Sequence, residues 1–118
     1  MTNEQISSIQ EELLREYPGA HLKVTDDHAE IVAEIEPKRA VAVIERSLPH
    51  FHQRTTEIYR VLRGSLYVAS GGRGHVLAAG ESLTIEPGRI HFARGAEDPA
   101  WIEVLSEPAW SAEDHHML

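Results

Sequence analysis

His50 and His52 stand one residue apart, and Glu57 follows five positions after His52. In an extended strand successive side chains alternate faces, so the two imidazoles point to the same side. A bend through residues 54–56 would return the chain and bring Glu57 to meet them from the next strand. Two imidazoles and a carboxylate suit one borderline divalent transition metal, with Mn, Fe, Ni and Zn as the candidates. A further ligand is expected downstream, and His91 in Glu86-Pro87-Gly88-Arg89-Ile90-His91 is placed to supply it. Three neutral imidazoles and one carboxylate leave a bound divalent ion with a single net positive charge. A six-coordinate ion keeps open positions for water, O2 or a chelating substrate, and acts there as a Lewis acid or acidifies bound water. Zinc closing a tetrahedral site would instead make the site structural. A bare His-x-His also reads as an exposed pair at a strand end. The arrival of Glu57, Gly64 and Pro87-Gly88-x-x-His91 together favours the ligand reading.

The pattern His50-x-His52-x-x-x-x-Glu57 followed by Gly64 resembles the first signature motif of the cupin family. The segment from Gly80 to His91 is similar to the second, and the two span residues 49–95. The resemblance implies an all-β, single-domain cupin jelly-roll (double-stranded β-helix) barrel with a metal inside, held by His50, His52, Glu57 and His91. Two positions depart from the pattern. Glu86 stands where proline is usual, and Gly95 stands where asparagine often follows the histidine by four residues. Neither is a ligand position. The first motif looks like that of small mannose-6-phosphate-isomerase-like cupins. The all-histidine thiol dioxygenases with a Cys–Tyr crosslink are excluded, because the chain has no cysteine and carries Glu57.

The elements that position these residues follow from hydrophobic period. Residues 3–16 place Ile6, Ile9, Leu13 and Leu14 on one helical face. Thr2 and Gln5 form a capping-box pattern, and Tyr17-Pro18-Gly19 ends the helix. From residue 20 the period becomes two. Strands are expected over 20–24, 29–35, 40–48, 57–63, 66–70, 75–77, 82–85, 91–94 and 100–106, punctuated by Gly, Pro and Asp turns. The organisation reads as an N-terminal helix and turn (1–19), a barrel (20–106) and a C-terminal tail (107–118) packing on it. Gly71-Gly72-Arg73-Gly74 joins two strands and reads as a hairpin turn. In the tail, a short helix is expected from Ser111, with Trp110 packed on the barrel. His115-His116 reads as solvated, with metal binding or a lid over the barrel mouth as alternatives. His21, His28 and His75 are expected at the surface.

Alternation from Glu57 puts Tyr59 and Val61 inside and Ile58, Arg60 and Leu62 outside. His91 and Ala93 share a face, opposite Phe92 and Arg94. Even-number parity before His50 puts Ala42, Ile44, Arg46 and Leu48 inside. An inward Arg46 would bind a substrate carboxylate or phosphate, and an outward one would pair with an acid. Tyr59 is a candidate catalytic and substrate-binding residue beside Glu57, or else a wall aromatic.

A net charge of −8, from 19 acidic and 11 basic residues, repels a phosphate backbone, so a small molecule is the expected partner rather than nucleic acid. No stretch approaches the ~18–20 apolar residues that cross a bilayer. The N-terminus lacks a basic start and apolar core, so no secretory signal is expected, and a cytoplasmic homodimer is. Two enzymatic readings lead. One is isomerisation or epimerisation of a sugar or hydroxy-carbonyl compound, and the other is O2-dependent oxidation at iron. The competing reading is a non-catalytic module that binds a metal or small molecule. A complete ligand set favours an enzyme.

Overall fold

The computed structural model describes residues 1–118. Helix α1 (Asn3–Glu16) starts as expected: Thr2 Oγ1 accepts the Gln5 N–H at 3.1 Å and Gln5 Oε1 accepts the Thr2 N–H at 2.8 Å. This satisfies two amides that a helix start otherwise leaves without partners. The chain then runs through β1 (His21–Val24), β2 (Glu30–Glu36), β3 (Arg39–Ile44), β4 (His50–Phe51), β5 (Thr56–Arg63), β6 (Ser65–Ser70), β7 (Arg73–Ala78), β8 (Ser82–Ile85), β9 (His91–Gly95), β10 (Ala100–Glu107) and β11 (His116–Met117). A single 3-10 turn, Ala112–Asp114, precedes β11 and is capped by Ser111. The β6–β7 turn is a hairpin with Gly71 and Gly72 both at positive φ, which glycine adopts without strain.

Two antiparallel sheets form the jelly-roll barrel. Their strand orders are β1-β2-β3-β10-β5-β8 and β11-β4-β9-β6-β7. Between them lies a core that includes Ala42, Ile44, Val61, Leu66, Val68, Ile85 and Ile102. The first sheet is covered on its outer face as well. There Ile31, Ala33, Val41, Val43 and Trp101 pack on Ile6 and Leu13 of α1. Because both faces of this sheet are dry, apolar alternation does not say which face is the interior. On β2 the inward residues are Glu30, Val32 and Glu34, paired with Ile44, Ala42 and Ala40 of β3.

The expected strand over 40–48 is cut short. The N–H groups of Glu45 and Arg46 both reach the Ala29 carbonyl, at 2.8 and 3.3 Å, and Ser47 N–H then bonds Ala93 O at 2.7 Å. Arg46 bridges Arg94. The chain thus crosses from the first sheet to the second at Glu45–Arg46, and two residues on one carbonyl reset the alternation. Ala42 and Ile44 face inward as expected, whereas Leu48 is exposed and Arg46 turns outward to Glu45 (3.3 Å) and Asp27 (3.8 Å). Beyond Glu57 the alternation holds: Tyr59 and Val61 are buried, and Ile58 and Arg60 are exposed. His21 and His28 are exposed, while His75 is half-buried on β7.

The tail is not a solvated extension. β11 pairs with β4, placing His116 opposite Phe51 and Met117 opposite His50. Trp110 packs at the barrel's edge, where it lines the cavity and stays 40% exposed. Its Nε1–H points to His115 Nδ1 at 3.3 Å, and the Lys23 ammonium lies 5.0 Å from its ring. No helix of the chain is long and apolar enough to cross a membrane.

Candidate metal centre

β4 supplies His50, the residue after β4 supplies His52, β5 supplies Glu57 and β9 supplies His91. His50 and His91 are direct cross-strand partners, so their rings must project side by side, with centroids 4.2 Å apart. The bend at Gln53–Arg54 returns the chain so that Glu57 enters the same space. All four side chains are buried, and their ligand atoms lie within 4.8 Å of one another. Each expected ligand is therefore in one cluster.

The hydrogen bonds around the cluster fix the imidazole tautomers. His50 Nδ1 bonds Leu48 O at 2.8 Å, His52 Nδ1 bonds Asp114 O at 2.7 Å, and His91 Nδ1 bonds Arg89 O at 2.8 Å. A carbonyl can only accept, so each ring carries its proton on Nδ1 and turns a bare Nε2 lone pair toward the centre. Glu57 Oε1 lies 3.1 Å from His52 Nε2 and 3.4 Å from His91 Nε2. Those three atoms are buried without a hydrogen-bond partner. Leaving a buried polar atom unsatisfied costs about 1–3 kcal/mol, and here three converge on one point. A divalent cation is the partner they share, so the donor set fits a transition metal. Among Mn, Fe, Ni and Zn the ligand types do not discriminate.

The electrostatics point the same way. Burial pushes the Glu57 carboxyl up, but the adjoining His52 and His91 rings outweigh it and hold the pKa at about 2. Burial, then the neighbouring His91, lowers His50 to about 4. Both are thus in their ligating forms near neutral pH. At His52 burial disfavours the imidazolium, but Glu57 and Asp114 more than offset it and raise the pKa, so a proton competes with a cation at that ring.

The cluster opens into a cavity of about 730 Å³. Val32, Ala42, Ile44 and Val104 form apolar wall, and Glu30, Tyr59 and Ser106 interrupt it. Tyr59 is buried with its ring centroid 6.1 Å from that of His91. Burial, then Glu57 and Glu30, raises its phenol well above the ordinary value, so it stays a donor. Arg46 is absent from the wall. The cations that do line it are paired, Lys23 with Glu34 at 2.6 Å and Arg39 with Glu103 at 2.8 Å.

Glu30 and Asp114, which sequence reasoning missed, and His115, which it read first as solvated and alternatively as part of a lid, also belong here. Glu30 lines the cavity with no ion pair, and burial, then the charges of Glu57 and Asp27, raises it to about 7. Its sequence signal, an acid alternating with Ile31 and Ala33, is that of an outward residue. His115 stacks on His50, centroids 4.4 Å apart, and lines the cavity. Asp114 is buried, and its carboxylate accepts the backbone N–H groups of Gln53, Arg54 and Thr55. Neither tail residue has a local pattern that announces its contacts.

The Cupin domain family profile matches residues 33–105. No curated protein matches the sequence. Among solved structures, a variant of Streptomyces Pac13 with uridine aligns over 86% of this chain and 86% of its own, at 17% identity and TM-score 0.71. KdgF from Halomonas sp. aligns over 73% of this chain and 84% of its own, at 17% identity and TM-score 0.63. A recombinant oxalate oxidase in complex with glycolate is 28% identical over 64% of this chain and 40% of its own, with TM-score 0.52.

Proposed function

The chain belongs to the cupin family, and from that premise we propose a metal-dependent enzyme that moves a proton on a small, oxygen-rich, uncharged substrate. A sugar or hydroxy-carbonyl compound undergoing isomerisation or epimerisation is the preferred case. The observation that carries this is the convergence of the four donors on a cavity whose wall bears two further proton-holding groups, Tyr59 and Glu30. A divalent ion in this ligand set supplies Lewis acidity toward a carbonyl or hydroxyl oxygen.

The chain's own residues account for the rest. The carbonyls of Leu48, Asp114 and Arg89 hold the three imidazoles in one tautomer, so the donors need no reorganisation when substrate arrives. The Tyr59 phenol offers a hydrogen bond to a substrate oxygen. Glu30, poised near neutral pH, can take a proton from a carbon beside a carbonyl and return it. With Arg46 outside and Lys23 and Arg39 paired, the wall offers no free cation to a phosphate, so hydroxyl groups are the handles for recognition. Pac13 is a nucleoside dehydratase, and a nucleoside is a neutral, hydroxyl-bearing molecule of the kind this wall would accept. The likeness to an oxalate oxidase with bound glycolate supports a second reading, metal-dependent oxidation of a small oxygen-rich compound.

The experiment begins with the metal content of tag-free protein by elemental mass spectrometry, beside His52→Ala. The loaded protein is then incubated with neutral aldoses, ketoses and nucleosides in D2O and followed by NMR. Deuterium entering a carbon-bound position, lost in Glu30→Gln or Tyr59→Phe, supports proton transfer. Metal-loaded protein that exchanges no substrate but consumes O2 moves the assignment to the oxidative reading. Metal without either activity leaves a binding module.

A further inference from the structure

We propose that the C-terminal segment is a strap built into the metal centre, in which Asp114 positions His52 and the bend between His52 and Glu57. The inference rests on the metal-binding reading above. Asp114 closes the 3-10 turn, where its N–H reaches Ser111 Oγ at 3.3 Å. Its Oδ1 accepts the Gln53 N–H at 2.8 Å. Its Oδ2 accepts the Arg54 N–H at 3.0 Å, the Thr55 N–H at 3.2 Å and the Thr55 hydroxyl at 3.3 Å. Three successive amides of the bend, which no strand partner reaches, are thus gathered on one carboxylate in the manner of an anion nest. The backbone carbonyl of the same residue accepts the His52 Nδ1–H at 2.7 Å. One residue therefore sets both the ring of a ligand and the path of the chain from that ligand to the next.

The neighbours of Asp114 extend the grip. His115 stacks on His50, and His116 stacks on Phe51 with centroids 5.0 Å apart. β11 pairs with β4, which carries His50. The tail consequently touches every residue from His50 to Thr55, and Ala109, Trp110 and His115 line the cavity it closes. Undocking it would free His52 to rotate or change tautomer and release the bend before Glu57. Coupling between two events is reciprocal, so a cation that selects the docked ligand geometry also stabilises the docked tail.

The test uses full-length protein stripped with a chelator and titrated with Co(II), whose visible spectrum reports ligand geometry, in wild type and Asp114→Asn. The variant keeps the carbonyl that holds His52 Nδ1–H and alters only the carboxylate that gathers the bend, so Co(II) should bind up to ~10-fold more weakly, at the low end of what losing a ligand's supporting contacts costs, with an altered spectrum. Amide exchange at Gln53, Arg54 and Thr55 should accelerate in the variant while β5 and β10 keep wild-type protection. In wild type, Co(II) should slow exchange at residues 115–118. Equal affinity and an unchanged spectrum in Asp114→Asn, or tail amides indifferent to Co(II) in a protein that binds it, would overturn the strap. Wild type that binds no Co(II) would instead overturn the metal centre itself. In that case, unchanged exchange at residues 53–55 in the metal-free variant would count against the strap on its own. Should Asp114→Asn fail to fold, Ser111→Ala removes only the cap of the turn and is expected to shift affinity and exchange the same way, by a few-fold. No shift in either would overturn the proposal.

Discussion

The guanidinium of Arg63 lies 3.8 Å from the centre of the Trp101 ring, on the outer face of the first sheet. From there it reaches Glu12 at 3.0 Å and Glu16 at 2.9 Å, so one side chain at the end of β5 fastens α1 to the barrel. An exposed cation–π contact is worth about 0.5–1 kcal/mol and each exposed ion pair ~0.2–1 kcal/mol. Arg63→Ala should therefore cost about 1–2 kcal/mol in urea unfolding and leave metal content unchanged. Leu13→Ala, at a fully buried helix position, should cost about 2–5 kcal/mol. A larger loss for Arg63→Ala than for Leu13→Ala would mean that the clamp, not the apolar face, holds the helix.

Removing one of the four converging donors should remove the metal. Glu57→Gln keeps the volume of the side chain but not its charge, and His52→Ala removes a lone pair, so both should purify with little bound metal. Wild-type protein with metal at a hundred times its Kd gains about 3 kcal/mol, which corresponds to a melting temperature ~10 °C above that of chelated protein. Calorimetric scans of both variants should show no such gain. A metal-dependent shift retained in Glu57→Gln would place the ion elsewhere.

The pH dependence of stability should carry the mark of Glu30. Its carboxyl stands at about 7 in the folded chain, above its ordinary value of 4.5. The unfolded chain then releases the proton first, so the folded state loses stability as the pH rises from about 4 to 7, and the penalty stays constant above. Glu30→Gln removes a charge that the cavity disfavours, so the metal-free variant should gain on wild type between pH 5 and pH 8, by up to ~3 kcal/mol. Urea titrations at both pH values measure this. A gain that is the same at both would show that the carboxyl titrates normally.

Gly95 occupies the position where an asparagine often follows the second motif. A Cβ built there would collide with the Asp98 carbonyl oxygen and lie 2.9 Å from Ile44 O and 3.0 Å from Ala100 N. These are backbone atoms of the crossing between the two sheets, and they cannot swing aside. Both Gly95→Ala and Gly95→Asn should destabilise by about 1–3 kcal/mol or more, measured by chemical denaturation. A stable Gly95→Asn variant would mean that the 95–100 turn can be rebuilt.

His115 lies against His50 yet is outside the group whose ligand atoms converge. His115→Ala should therefore still purify with metal, while the cavity mouth becomes wider and more permissive to larger ligands. Elemental analysis decides: loss of the metal would make His115 a fifth donor.

The ligand set was legible in the sequence because it depends on local order. His50 and His52 share a side through strand alternation, Glu57 returns across a short bend, and His91 follows a Pro-Gly turn. The helix and the hairpins were legible for the same reason, since caps, glycine turns and hydrophobic periods act over a few residues. What alternation could not say was which face of β2 is the interior. A sheet buried on both sides gives Ile31 and Glu30 equal claim, and only the seat of α1 turns Glu30 into the cavity. Nor could it place Arg46, because the chain changes sheets at Glu45–Arg46 and the parity that orders Ala42 and Ile44 lapses there. The tail was legible only in its short turn from Ser111 and its return onto the barrel, not in its partners. Asp114 meets the bend across 59 to 61 positions of chain, through backbone amides that carry no residue-type signature. Sequence by itself therefore determined which atoms could bind a metal. The closure of the two sheets and the return of the C-terminus decided what surrounds them, because those contacts are made between distant segments only once the chain is folded.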